Sequence, residues 1–219
     1  MKKIAVITGG SSDIGLAIAN RLKEENYSII LTSRAKPENL DKSFTFIPAD
    51  LTKESDIEEL VNQIESVDLL VNCAAIWHND TEVFADKEYF DFKWEDISST
   101  MQVGIISPMM LIYLLKDKFQ ENSNIINITG TFEDGGKGWV PYYVSKKALE
   151  ELTYALSDDL RDRGIRVNAV CPSDTATKPY SKFFPQYIDE AISPNEIADT
   201  VWKMIKEKQN ACVEVVGYK

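Results

Sequence analysis

The sequence predicts an α/β fold: a doubly wound parallel sheet of about seven strands with helices on both faces, in a single domain over residues 1–219. Three observations lead there. Strand-like and helix-like patterns alternate from one end of the chain to the other, and strands separated by helices pair in parallel through crossovers. VDLLVNCAA (67–75) is apolar almost throughout instead of at every second position, as a strand covered on both faces requires. At 219 residues with 44% apolar side chains, the chain suits one core.

KIAVIT (3–8), short and rich in β-branched residues, opens the sheet. In the next segment (14–25), Ile14, Ala17, Ile18 and Leu22 recur at the helical period of one buried stripe. Residues 27–33 and 44–51 are the second and third strands, 56–65 the second helix and 67–75 the fourth strand. The apolar stretch 103–115 belongs to a long helix, 123–129 is the fifth strand, 142–164 a long amphipathic helix and 165–172 the sixth strand. A helix at 196–208 and a strand at 212–217 close the series. The irregular segments 77–95 and 175–193 follow C-terminal strand ends, where open α/β sheets hold their ligands. Trp77, Phe84, Trp139, Tyr180, Phe183, Phe184 and Tyr187 are the expected apolar lining there.

A formal charge of -11 repels a phosphate backbone or an anionic lipid surface, so neither nucleic acid nor membrane is expected as a partner. No run of about 18 apolar residues predicts a membrane span, and MKKIAVITGG is too short and glycine-interrupted for a signal peptide, which makes the expected address cytoplasmic. Cys73, Cys171 and Cys212 are single and far apart, unlike metal or disulfide frameworks, and read as reduced core thiols. The carboxylates of DKEYFDFKWED (86–96) show no dedicated ligand spacing, and that segment reads as a lid or a packed surface loop instead of a metal site.

The first strand runs through TGGSSDIG (8–15) directly into a helix, so the N–H groups of Ser11, Ser12 and Ile14 can face a pyrophosphate at the helix N-terminus. With Thr8, Gly9 and Gly15 in place, the stretch resembles the Thr-Gly-x-x-x-Gly-x-Gly turn of the short-chain dehydrogenase/reductase family, except that Asp13 stands at the middle glycine. A carboxylate turned inward there would repel the pyrophosphate. The resemblance implies a Rossmann-type doubly wound sheet and a dinucleotide cofactor. The second strand ends in Ser33-Arg34, with no carboxylate between residues 27 and 37 to meet a ribose 2′-OH. A guanidinium suits a 2′-phosphate, so NADP(H) is the expected cofactor and NAD(H) the second choice. Asp50-Leu51 matches the family dipeptide that meets the adenine, and Asn72-Cys73-Ala74-Ala75 is similar to its Asn-x-Ala-Gly element.

PYYVSKKAL (141–149) resembles the family's Tyr-x-x-x-Lys motif. Four residues apart on a helix, Tyr142 and Lys146 share a face; Tyr143 and Lys147 have the same spacing, but Ser145 directly before Lys146 favours the first frame. The resemblance makes Tyr142 the proton donor to a substrate carbonyl, with the Lys146 ammonium lowering its pKa and holding the cofactor ribose. Two departures follow. Gly130, twelve residues before Tyr142, stands at the family's catalytic serine, and the hydroxyls of Thr129 and Thr131 flank it as replacements. Either Gly104 or Met101, depending on register, stands at the family's asparagine, leaving Gln102 as a neighbouring polar group. Pro172, Thr175 and Thr177 belong to the segment expected to face the nicotinamide amide, with Pro172-Ser173 in place of the family's Pro-Gly.

The resemblance therefore implies an oxidoreductase acting on a small carbonyl or alcohol. The departures leave open a second function, a cofactor-binding regulatory or scaffold protein without turnover. The two long helices around residues 103–119 and 142–163 carry more apolar surface than a sheet face needs, and family members pair such helices into homodimers or homotetramers. His78, the lone histidine, is a further candidate for orienting a polar substrate.

Overall fold

The structure, a computed structural model, describes residues 2–132 and 135–217. Seven strands form one parallel sheet: β1 (Ile4–Thr8), β2 (Ser28–Ser33), β3 (Thr45–Pro48), β4 (Val67–Asn72), β5 (Phe119–Ile128), β6 (Arg166–Pro172) and β7 (Val213–Val216). Their order is β3-β2-β1-β4-β5-β6-β7. From β1 the chain winds outward to β3, returns to β4 on the other side of β1, and continues to β7. The reversal between β1 and β4 is the switch point at which such sheets leave a crevice beyond their C-terminal ends.

Both faces are covered as the apolar strands demand. On one face, α1 (Asp13–Glu24) and α7 (Pro194–Lys206) bury Ile18, Leu22, Ile197, Val201 and Met204 against β1, β2 and β4. On the other, α2 (Glu54–Asn62) and α4 (Ser107–Leu114) bury Leu60, Val61, Leu111 and Ile112. Helix α5 (Val140–Asp159) lies against β6 and sends Leu149 inward. The cap that starts α1 is Ser12, whose Oγ accepts from Gly15 N at 3.0 Å; α7 begins with a reciprocal capping box between Ser193 and Glu196.

Several boundaries differ from expectation by a few residues, and the segment 175–193, read as irregular, holds a short helix at Lys178–Phe183; two of the differences have a clear cause. Strand β5 starts at Phe119, four residues early, because a bulge opposite Val67–Leu69 lets the ladder resume beyond the irregularity. The long helix starts at Trp94 instead of near Val103: α3 (Trp94–Met101), a π turn (Gln102–Ile106) and α4 run on without a break. Wide π pairing carries the chain past Pro108, which has no N–H to give; the N–H of Ser107 reaches back to Gln102 O. The continuous helix Trp94–Leu114 is, contrary to the sequence reading, long and apolar enough to cross a membrane by length and composition. Here it lies along the sheet, with Val103, Leu111 and Ile112 in the core.

Candidate active site

A cleft of about 1250 Å³ opens over the C-terminal ends of the central strands. Single-ligand pockets span roughly 300–1,000 Å³, so this one has room for a cofactor and a substrate together.

One wall is the turn after β1. Gly9 has φ +66° and a Cβ there would come within 2.9 Å of the Ala74 backbone, so only glycine lets the turn settle onto the end of β4. Thr8 lies beneath and not in the cleft: its Oγ1 accepts from Cys73 N (3.0 Å) and Ala74 N (3.1 Å), stitching β1 to β4. Gly15 and Asn72 likewise shape the wall from behind. A Cβ at Gly15 would meet Gly9 O at 2.5 Å, and the Asn72 amide donates to Asn127 Oδ1 at 2.8 Å. Asn127 in turn donates to Thr153 Oγ1 at 2.9 Å, a buried polar chain joining β4, β5 and α5. The side of the turn facing the cleft is Gly9, Ser11, Ser12, Asp13 and Ile14, with Ala74 opposite.

Asp13, though it lines the cleft, has its carboxylate engaged. Its Oδ2 accepts from Lys178 N at 2.6 Å, and its Oδ1 lies 4.0 Å from Lys178 Nζ, so the carboxylate spans to the start of α6 (Lys178–Phe183). The inward repulsion raised by the sequence is thereby reduced. At the far end, Ser33, Arg34, Asp50 and Leu51 line the cleft. Arg34 is exposed and has no salt bridge among the described residues. Burial raises the Asp50 pKa, but the Thr52 hydroxyl and amide, Lys53 and Arg34 outweigh it and hold the carboxyl below its usual range.

Helix α5 brings Tyr142 and Lys146 to the cleft, whereas Lys147 is drawn off to Glu150 (2.8 Å) and the Tyr143 ring stands edge-on against Phe132 at 5.0 Å. Lys146 is only 2% exposed; its Nζ donates to Ile128 O at 2.7 Å and lies 5.4 Å from the Tyr142 ring centroid. Burial pulls the lysine pKa down to about 8, against the upward pull of Cys73, Cys171 and Glu150. The expected lowering of the phenol pKa is not what this geometry gives: burial, then Cys73, Asp174 and Cys171, push Tyr142 well above its ordinary value. Desolvation is the largest cause, and the Lys146 ammonium that would offset it is turned to the Ile128 carbonyl.

Neither threonine expected to replace the serine has a proton to spare. Thr129 Oγ1 donates to Val170 O and Thr131 Oγ1 to Pro172 O, each at 3.3 Å. Gly130, between them, faces open space: a Cβ there would meet only Phe132 Cε2 at 3.8 Å. At Gly104 the reverse holds, since a Cβ would come within 2.7 Å of Ser145 Cβ and Oγ, so close packing of the π turn on α5 leaves no room for an amide. Gln102 Nε2 is buried without a partner, and Met101 ends α3.

Pro172 and Thr175 line the cleft, Thr175 Oγ1 donating to Ser173 O at 2.9 Å; Thr177, also at the cleft, caps α6 by accepting from Tyr180 N at 3.3 Å. Of the expected aromatic lining, Trp77, Trp139, Tyr180, Phe184 and Tyr187 reach the cleft. Phe84 is instead 6% exposed in the interior, and Phe183 faces a separate surface hollow with His78. His78 also touches the rim of the main cleft, its Nδ1 2.9 Å from Asn79 O. Phe132 and Asp174 were not singled out from the sequence; their place immediately after β5 and β6 was the available signal.

The family model described as short chain dehydrogenase matches residues 3–187. The chain belongs to the short-chain dehydrogenase family. Among its relatives, a dehydrogenase/reductase SDR family member 6 of Xenopus laevis is 30% identical over 183 residues, covering 80% of this chain and 72% of that one. A 3-oxoacyl-(acyl-carrier-protein) reductase FabG of Staphylococcus epidermidis is 30% identical over 189 residues, covering 78% and 75%. In fold, a blue fluorescent protein from a metagenomic library, solved in complex with NADPH, superposes with a TM-score of 0.85 at 25% identity over 98% of this chain and 96% of that one. Within this short-chain dehydrogenase, the cleft joins the glycine turn to the Tyr-x-x-x-Lys helix, as the family resemblance of both motifs implied. Gly9 settles the turn on the Ala74 backbone with the N-terminus of α1 at the cleft, and Arg34 offers a cation without a salt bridge among the described residues, so the residues present fit a dinucleotide.

Proposed function

We propose that the protein is an NADP(H)-dependent oxidoreductase that interconverts a small carbonyl compound and its alcohol. The observation that carries this reading is that Tyr142 and Lys146 face the same cleft as the glycine turn and Arg34. The cofactor supplies a hydride to the carbonyl carbon. The oxygen, gaining the electron pair of the broken π bond, takes its proton from the Tyr142 hydroxyl, so carbonyl, NADPH and one proton give alcohol and NADP⁺.

Each residue has a part in that scheme. Ser11, Ser12 and Ile14 at the start of α1 hold the pyrophosphate; Ser33 and Arg34 hold the 2′-phosphate; Asp50 and Leu51 flank the adenine. Thr8, Gly9, Gly15, Asn72 and Ala74 keep the β1 and β4 ends in shape behind them. Pro172, Thr175 and Thr177 hold the nicotinamide end, and Lys146 the ribose. A phenol raised by burial stays protonated at neutral pH, the form that can give a proton to a carbonyl oxygen.

Purified protein tests this. NADPH is expected to bind saturably by fluorescence and more tightly than NADH, and a carbonyl panel to consume NADPH until Tyr142→Phe abolishes the reaction. Arg34→Ala is expected to weaken NADPH far more than NADH; equal losses would remove the 2′-phosphate role. The hydroxyls of Thr129 and Thr131, committed to β6 carbonyls, favour a second reading: a cofactor-binding regulatory or scaffold protein, for which dinucleotide binds with no turnover across the panel.

Two further parts of the proposal concern context. Exposed Ile106, Met109 and Tyr113 on the π turn and α4, with Val144 and Tyr154 on α5, support pairing of two copies into a homodimer or a homotetramer, checked by sedimentation. A single domain acting in the cytoplasm completes the proposal, checked by limited proteolysis and cell fractionation.

A further inference from the structure

We propose that the substrate end of the cleft selects a neutral carbonyl compound whose carbonyl is attached to, or one or two bonds from, a flat aromatic ring. The inference rests on the reductase reading above and names the substrate class of that same site.

The carbonyl oxygen must reach the Tyr142 hydroxyl, so the rest of the substrate lies on whatever surrounds that ring. Phe132 stands 5.9 Å from the Tyr142 centroid on one side and Trp139 stands 6.0 Å away on the other. Beyond Trp139 the wall continues as a triangle of rings: Trp77 to Trp139 is 6.4 Å, Trp139 to Phe184 is 6.1 Å and Trp77 to Phe184 is 6.4 Å. Tyr180 backs Phe184 at 5.3 Å.

These rings come from three separate parts of the chain: the loop after β4, the start of α5 and the segment after α6. Sequence proximity therefore did not bring them together. A wall meant only to close the lid would bury its rings, yet Trp77, Trp139 and Phe184 all stay half-buried and line the cleft. Aromatic pairs prefer centroid separations of about 4.5–7 Å in tilted or offset arrangements, and rings already tilted to one another leave faces and edges for one more. Beside Tyr142 the missing side chain at Gly130 leaves further space, bounded by Phe132.

Charge narrows the class. Asp13, Asp86, Asp174 and Glu190 line the cleft, with Asp174 Oδ2 accepting from the Tyr180 hydroxyl at 2.7 Å; of the cations lining it, Arg34 stands at the far end, Lys178 lies 4.0 Å from Asp13 and the buried Lys146 donates to Ile128 O, which leaves Lys137 facing the carboxylates. With a formal charge of -11 on the whole chain, a substrate bearing carboxylate or phosphate meets net repulsion at this end. A neutral aryl aldehyde or ketone meets none.

The test pairs substrates that differ only in the ring. A ring-on-ring contact is worth about 2- to 10-fold in binding, and the wall offers two, so kcat/KM for benzaldehyde should exceed that for cyclohexanecarbaldehyde by roughly tenfold or more. Trp139→Leu, which keeps apolar volume, should bring that ratio towards one, and so should Phe184→Leu. A readout without turnover is quenching of tryptophan fluorescence in the NADP⁺-saturated protein, where benzyl alcohol should bind more tightly than cyclohexylmethanol. Turnover with equal rates for both aldehydes overturns the aryl selection and leaves the reductase standing. Selective binding of benzyl alcohol with no turnover of any carbonyl upholds the aryl site and removes the reductase. Neither turnover nor selective binding removes both.

Discussion

Gly130→Ser asks whether the cleft retains the shape of a site that once held, or can hold, a second donor. Serine needs space and an allowed backbone, and both are present: the nearest atom to a Cβ at this position is Phe132 Cε2 at 3.8 Å, and Gly130 is not among the residues with positive φ. Its neighbours cannot serve, because Thr129 and Thr131 spend their protons on Val170 O and Pro172 O. Removing one oxyanion donor from a working site costs about 10²–10³ in kcat, and a newly introduced, imperfectly held one should recover part of that, about 10- to 100-fold. Stability should rise by about 0.4–1 kcal/mol, since the unfolded chain loses freedom and no folded contact is strained. The assay is steady-state reduction of the best carbonyl by NADPH, with cofactor affinity and melting temperature measured alongside. An unchanged or lower kcat in a variant that melts no lower and binds NADPH equally well refutes the reasoning, and means that the oxygen is already solvated from elsewhere.

Other expectations follow from the same geometry. Because burial brings Lys146 down to about 8, log kcat/KM for reduction should be level below that pH and fall as pH rises through it, the ammonium being the active form; a break near the 10.5 of free lysine would contradict the buried setting. Asn127→Ala should cost about 1–3 kcal/mol by thermal or urea unfolding, because it leaves the buried Asn72 amide without its acceptor, while Thr153 keeps its bond to Leu149 O. A loss under 0.5 kcal/mol would mean that water replaces the amide. Asp13→Gly frees the amide of Lys178 and returns glycine to the turn, and is expected to tighten NADPH several-fold by fluorescence titration; weaker binding would show that the bridge to Lys178 helps form the site.

Much of the architecture was legible because each layer leaves a periodic mark. The buried strands read as unbroken apolar runs and α1 as a stripe at Ile14, Ile18 and Leu22, and the doubly wound arrangement with its reversal after β3 was what the family resemblance implied. What escaped were features set by contacts distant in sequence. The π turn at Gln102–Ile106 looks like any apolar helix until Gly104 is seen against Ser145. At the site, the glycine turn and the Tyr142–Lys146 helix were recognisable from local spacing. The bonds of the Thr129 and Thr131 hydroxyls to β6 carbonyls could not be foreseen because those acceptors lie 41 residues on, and the rise of the phenol's pKa because a motif conveys the charge nearby and not the burial around it. Asp13 was readable as an anomaly, but its partner lies 165 residues away.

That long-range partnership couples two ends of the chain. The carboxylate on the first turn holds the first amide of α6, the element carrying Tyr180 and leading to Phe184. A pyrophosphate bound at the same turn, as proposed above, would add negative charge beside that carboxylate and so strain the clasp. The amide hydrogen of Lys178 is thus a natural reporter: it should exchange with solvent faster when NADPH is added, in the opposite sense to its neighbours in β1 and α1.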